Sequence, residues 1–214
     1  MKQKLLNVVM LSVVLVSLVL LQPASAGGGG GCGAVDVSLT NAKGQIAGRG
    51  RATSGQFHAF LWTNGRATDL GALGEGCSYA TDINNLGQIV GNSVIVSNDV
   101  GHFHAFLWKD GRMTDLGTLG GNNSFAIAIN ERGEVVGNSE TATGEKHAFL
   151  WKDGRMIDLG TLGGGTFSVA TDINESGQVV GVARTALGVP YVFLWENGTM
   201  TIPESLIPAT WSGR

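Results

Sequence analysis

His58, His104 and His147 each open the pentapeptide His-Ala-Phe-Leu-Trp, which closes at Trp62, Trp108 and Trp151. Imidazole is the most frequent metal ligand and a general base at neutral pH, so repeated histidines are the first place to look for chemistry. The fourth copy of the motif argues against it. It reads Tyr191-Val-Phe-Leu-Trp195, and a phenol shares the flat body and hydrogen-bonding tip of a histidine without offering zinc a neutral nitrogen. Equivalent positions in adjacent repeats also point in similar directions instead of converging. A structural role is expected, with each ring bonded to a neighbouring backbone group.

The acids invite the same question. Asp69, Asp115 and Asp158 recur before Leu-Gly. Acid–base chemistry needs two groups whose environments push their pKa values apart, and identical acids in identical units do not supply that. They are expected to bond loop amides. Asp82-Ile-Asn84 and Asp172-Ile-Asn174, each followed by Gly87 or Gly177, are similar to the start of a calcium loop. The fifth positions are Leu86 and Ser176, and no closing acid follows. An Asn side chain bonding its own following backbone is the expected use. The Gly-rich segments at Gly120-Gly121 and Gly163-Gly164 lack the Lys-Ser/Thr of a phosphate loop. Catalytic, metal-binding and cofactor-binding residues are therefore expected to be none.

The elements that carry these residues are repeated too. The tryptophans at 62, 108, 151 and 195 and the asparagines at 41, 84, 130 and 174 keep one period of about 44 residues, the range of propeller blades. In the third unit Ser124–Ile129 reads as a strand and Asn130–Gly133 as a turn. Glu134–Ser139 is a second strand, Glu140–Lys146 a variable polar loop, His147–Trp151 a third strand and Arg155–Leu159 a fourth. Asn64-Gly65, Asp110-Gly111, Asp153-Gly154 and Asn197-Gly198 are the dipeptides of tight type I′ hairpins. Phe-Leu-Trp and Val-Val-Gly are apolar at successive positions, which implies sheets buried on both faces. The sum is an all-β chain of four units, each a four-stranded antiparallel sheet, propeller-like as a closed four-bladed ring or an open arc. Helix is excluded, because glycine recurs every few residues at a cost of about 1 kcal/mol each inside a helix.

The chain has 214 residues, of which 34 are glycine and only 14% are charged, with a formal net charge of -3. A mildly acidic chain with scattered bases lacks the footprint of a nucleic-acid binder. Lys2 and Lys4, the apolar run Leu5–Leu21 and the small residues Ala24-Ser25-Ala26 read as a cleaved export signal. The expected organisation is residues 1–26 signal peptide, 27–33 Gly-rich flexible spacer, 34–203 four-repeat β domain and 204–214 a C-terminal tail or the start of a further repeat. The mature chain is expected outside the cell, with no membrane attachment. Cys32 and Cys77 either pair in that oxidising compartment or stay as two thiols.

The ordered blocks Asp-Ile-Asn-x-x-Gly-Gln-Val-Val-Gly, His-Ala-Phe-Leu-Trp-x-x-Gly and Asp-Leu-Gly-Thr-Leu-Gly-Gly resemble the HAF repeat family of bacterial extracellular proteins. The resemblance covers about Ala34 to Trp195. It implies export and a repetitive β fold, and it brings no catalytic residues with it. The fourth unit departs from the pattern at Tyr191 and at Ile202-Pro203, where Asp-Leu would fall. The expected function is a non-enzymatic extracellular or cell-surface scaffold. It would present variable loops, Val94–Gly101 and Glu140–Lys146, to an extracellular protein or glycan. The alternatives are a propeller-type enzyme acting on extracellular polysaccharide, or a fragment of a longer repeat array.

Overall fold

The computed structural model describes residues 36–95 and 101–203. The segments expected to be signal peptide, spacer and tail, with Cys32 and residues 96–100 of the first variable loop, lie outside the described residues. Sixteen strands form four antiparallel four-stranded sheets, one per repeat, each in simple chain order. The first sheet holds β1 (Asp36–Thr40), β2 (Ile46–Arg51), β3 (Phe57–Thr63) and β4 (Arg66–Gly71). The second holds β5 (Ser78–Ile83), β6 (Ile89–Val94), β7 (Phe103–Lys109) and β8 (Arg112–Asp115). The third holds β9 (Gly120–Ile129), β10 (Val135–Thr141), β11 (Lys146–Lys152) and β12 (Arg155–Asp158). The fourth holds β13 (Ser168–Ile173), β14 (Val179–Arg184), β15 (Pro190–Glu196) and β16 (Thr199–Thr201). The propeller-like arrangement expected from the period is the one found.

The four hairpin dipeptides have positive φ at both residues, for example 52° at Asp153 and 77° at Gly154. That is the type I′ geometry whose twist matches the flanking strands. The first strand of each sheet is bulged. Register shifts fall at Thr81, Ile127 and Thr171, opposite the Val-Gly pairs Val90-Gly91, Val136-Gly137 and Val180-Gly181. The bulge pushes the first strand's backbone against the second strand. No side chain fits there, which accounts for the glycine closing each Val-Val-Gly.

Burial on both faces is real. Val135, Val136, Phe149 and Leu150 are all buried although consecutive residues point to opposite faces. The apolar residues gather into clusters between successive sheets. Ala59, Leu61 and Leu70 meet Ile83, Ile89 and Phe106 at the first junction. Val90, Leu107 and Leu116 meet Ile129, Val135 and Phe149 at the second. Val136, Leu150 and Leu159 meet Ile173, Val179 and Phe193 at the third. Among the described residues no such cluster joins the fourth sheet to the first.

The tryptophans depart from the expectation of a fully buried strand. Trp108, Trp151 and Trp195 are half-buried and Trp62 is exposed. Each sits two residues before a hairpin turn, at the rim of its sheet.

A polar ladder ties the sheets along one edge. The Nδ2 of Asn41 donates to the carbonyl of Asn84 at 2.9 Å, that of Asn84 to Asn130 at 3.0 Å, and that of Asn130 to Asn174 at 3.2 Å. Each Oδ1 meanwhile accepts amide hydrogens within its own turn, as Asn84 does from Leu86 and Gln88 at 3.0 Å. Serines do the same work near the other edge. Ser78, Ser124 and Ser168 accept from the backbone N–H of Ala59, Ala105 and Ala148 in the preceding sheet.

Candidate functional site

The histidines stand on the third strand of each of the first three sheets and face the aspartate on the fourth strand. The Nδ1 of His58 lies 2.9 Å from Asp69, that of His104 2.8 Å from Asp115, and that of His147 2.9 Å from Asp158. An ionised carboxylate can only accept, so Nδ1 carries the hydrogen. The expected backbone partner is thus corrected to a carboxylate. The hairpin register brings Asp115 beside Phe106, two residues from His104. The same carboxylates also accept from the amides of Gly71, Gly117 and Gly160, the loop bonds expected of them. The fourth sheet loses both partners at once, through Tyr191 and Ile202. Each pair is enclosed in its own sheet, so the three rings do not converge.

Burial alone would raise the Asp115 carboxyl. The His104 ring and the Gly117 amide outweigh it and hold the carboxyl below its ordinary value. Stability from this pair is therefore present above the ordinary carboxylate range and lost as pH falls through the lowered value. Asp115→Asn should cost about 0.5–1 kcal/mol at pH 7, the range for a solvent-screened pair. Urea midpoints of variant and wild type should converge on acidification; parallel pH profiles would contradict the pairing.

Asp82 and Asp172, on the first strands of the second and fourth sheets, bond backbone amides. Asp82 accepts from Ile83 at 2.8 Å and Ile129 at 2.9 Å, and Asp172 from Ile173 at 2.8 Å. Burial raises both carboxyls, and the charge of Asp172 adds to the rise at Asp82. Asn84 and Asn174, not these acids, make the turn bonds. Cys77 is disulfide-bonded.

A concavity lies between the second and third sheets, on the edge where the Asn-x-x-Gly and hairpin turns meet. It encloses about 680 Å³ and is lined by Lys109, Arg112, Arg132, Glu134, Trp151 and Lys152, with Gln88 and Asp153 among its other walls. At its floor the repeat pattern changes charge. Gln45, Gln88 and Gln178 occupy equivalent positions, and Glu134 replaces them in the third unit. Its side chain is only 6% exposed. Asn130 donates to it at 2.6 Å, as the equivalent asparagines do to the glutamines. Arg132 approaches at 2.6 Å and Lys152 at 2.9 Å. Burial raises this carboxyl, and Lys152, Asn130 and Arg132 together bring it below its ordinary value. A buried carboxylate therefore anchors two half-exposed cations at the mouth of the groove. Lys109 and Arg112 extend the positive wall and Trp151 supplies an aromatic one.

The sequence reading looks to the loops for specificity and passes over this site. The Glu140–Lys146 loop is shorter than expected, because β10 runs to Thr141 and β11 starts at Lys146. The signal for the groove was legible as the single acid at a glutamine position, beside Arg132 where the other units have Lys43, Leu86 and Ser176.

No protein-family model matches the chain, and no curated protein matches it in sequence. Among solved structures it is similar to a gluconolactonase from Xanthomonas campestris, at a TM-score of 0.44 and 12% identity over 77% of this chain. The match spans 60% of the gluconolactonase chain. It is also similar to a fucose lectin from Kordia zhangzhouensis, solved in complex with methyl-fucoside. That TM-score is 0.36 at 18% identity, over 57% of this chain and 94% of the lectin. Rigid sheets with turns gathered on one edge suit a binding or an enzymatic role.

Proposed function

We propose that the protein is an exported bacterial repeat protein of the HAF type that acts as a non-enzymatic binding scaffold. Its ligand is an acidic extracellular glycan held in the groove between the second and third sheets. One observation carries this reading: the repeated polar residues are spent on contacts within and between sheets, while the unrepeated pair Arg132 and Glu134 opens into the groove. Export is supported by Lys2, Lys4, the apolar run and Ala24-Ser25-Ala26. A glycan suits the groove because a sugar ring packs on an indole face, and an acidic one because four cations line the wall.

Affinity electrophoresis of the purified protein in gels containing polygalacturonate or dextran tests the proposal. The acidic polymer should retard the protein and the neutral one should not, with retardation weakening as salt rises. Trp151→Ala, or Lys109→Ala combined with Arg112→Ala, should weaken binding about tenfold, which is about 1.4 kcal/mol. Glu134→Gln restores the residue of the other three units, so the fold should hold while the released Arg132 and Lys152 change the affinity. Unaltered binding in all three variants would refute the groove. Release of reducing ends from the polymer would make the protein an enzyme instead.

A further inference from the structure

The ladder has a direction. Each asparagine donates one amide hydrogen to a side chain in its own turn and the other to the next sheet's carbonyl. Asn174 keeps the first bond, to Gln178 at 2.7 Å, and among the described residues has no acceptor for the second. The neighbouring amide tells the same story. Ala42, Asn85 and Glu131 each have their N–H bonded by a side chain of the following sheet. Glu175 has no such partner among the described residues.

The apolar surfaces follow the ladder. The forward face of the third sheet carries Val136, Ala148 and Leu150, all buried against the fourth sheet. The same face of the fourth sheet carries Val180, Val192 and Leu194, and the last two are only partly covered. The backward face shows the converse at the other end. Ile89 and Phe106 are 0% exposed in the second sheet. Their first-sheet counterparts Ile46 and Phe60 are partly exposed, and Trp62 is 38% exposed. That face also holds a recess of about 370 Å³, lined by Gly50, His58, Phe60, Ala67 and Asp69 among others.

We infer that the forward face of the fourth sheet docks on the backward face of the first sheet of a second copy of this chain, head to tail. The occupant is named by continuity. Three internal junctions already join these two faces, Val/Ala/Leu against Ile/Phe/Trp, with an asparagine amide meeting a carbonyl beside them. A second copy offers the carbonyl of Asn41 to Asn174. It offers only Ala42 where later units have Asn85, Glu131 and Glu175, so the junction lacks the second bond and should be reversible. A contact between two different faces is heterologous, and it propagates unless rotation closes a ring.

Sedimentation velocity of the full chain over a hundredfold concentration range tests this. The mean mass should rise with concentration. Trp62→Arg and Leu194→Arg each charge one face without touching an internal junction. Each variant alone should stay monomeric with an unchanged circular dichroism spectrum. Mixed in equal amounts they should form dimers and nothing larger, because each retains the face the other has lost. A wild type that stays monomeric throughout, including one whose first and fourth sheets cross-link within a single chain, overturns the proposal. So does a mixture that fails to dimerise. If the spectrum shows that either arginine variant has unfolded, Trp62→Ser and Leu194→Ser take their place with the same readout.

Discussion

Gly137→Ala is expected to cost about 3 kcal/mol or more and to lower the thermal midpoint sharply. Overpacking a filled core costs roughly 1–3 kcal/mol when side chains can shift. Here the obstacle is backbone. A Cβ at Gly137 would fall inside the van der Waals shell of the Phe125 carbonyl oxygen and 3.1 Å from the Cα of Ala126. Both belong to β9, and the bulge at Ile127 fixes them. Retreat would open the β9–β10 ladder and strip the Asn92 bond from the amide of Ala126, which is 2.8 Å long. Gly91 and Gly181 meet the carbonyls of Tyr79 and Val169 in the same way and should respond alike. Gly133→Ala is the informative control. Its added atom meets only the end of the Gln88 side chain, the nearest atom at 3.2 Å, but its φ is 78°. The expected cost is about 1 kcal/mol, the strain of a left-handed alanine. Differential scanning calorimetry of the three proteins checks the order; equal losses would remove the bulge from the explanation.

Phe149→Ala should cost about 3–5 kcal/mol, as for a phenylalanine deleted from a closed core. The side chain is 0% exposed, between Val90, Leu107 and Ile129 at the second junction. Phe60 occupies the same place in the same pentapeptide, and Phe60→Ala should cost less, about 1–2 kcal/mol, because part of its side chain already faces water. The contrast is the test, since the same substitution in two identical local sequences should lower the denaturant midpoint by amounts that differ severalfold. Similar losses would mean that the backward face of the first sheet is covered in solution, and repeating the comparison at higher protein concentration would reveal whether a second copy covers it.

Much of this architecture is written in short-range signals. A type I′ turn needs two residues tolerant of positive φ, and Asn64-Gly65 and its three counterparts declare it. Two-sided burial shows as consecutive apolar residues, because a half-wet strand would alternate. The partner of each histidine was harder to read. Asp115 lies eleven residues from His104, and only the hairpin register sets them on adjacent strands. The asparagine ladder spans 43 to 46 residues, and the repeat period shows that such positions are equivalent without showing that they touch. Glu134 was visible and overlooked, since its meaning depends on Arg132 and Lys152 arriving from the same turn and from the next hairpin.

The forward reach of Asn41, Asn84 and Asn130 sets how such a protein can change over generations. No bond in that series crosses more than one boundary. Deleting or copying one whole module would leave every surviving asparagine but the last with a carbonyl to hold, whereas a cut within a module would strand one more. Length is therefore a quantity that duplication can alter freely, while the spacing inside each module is not.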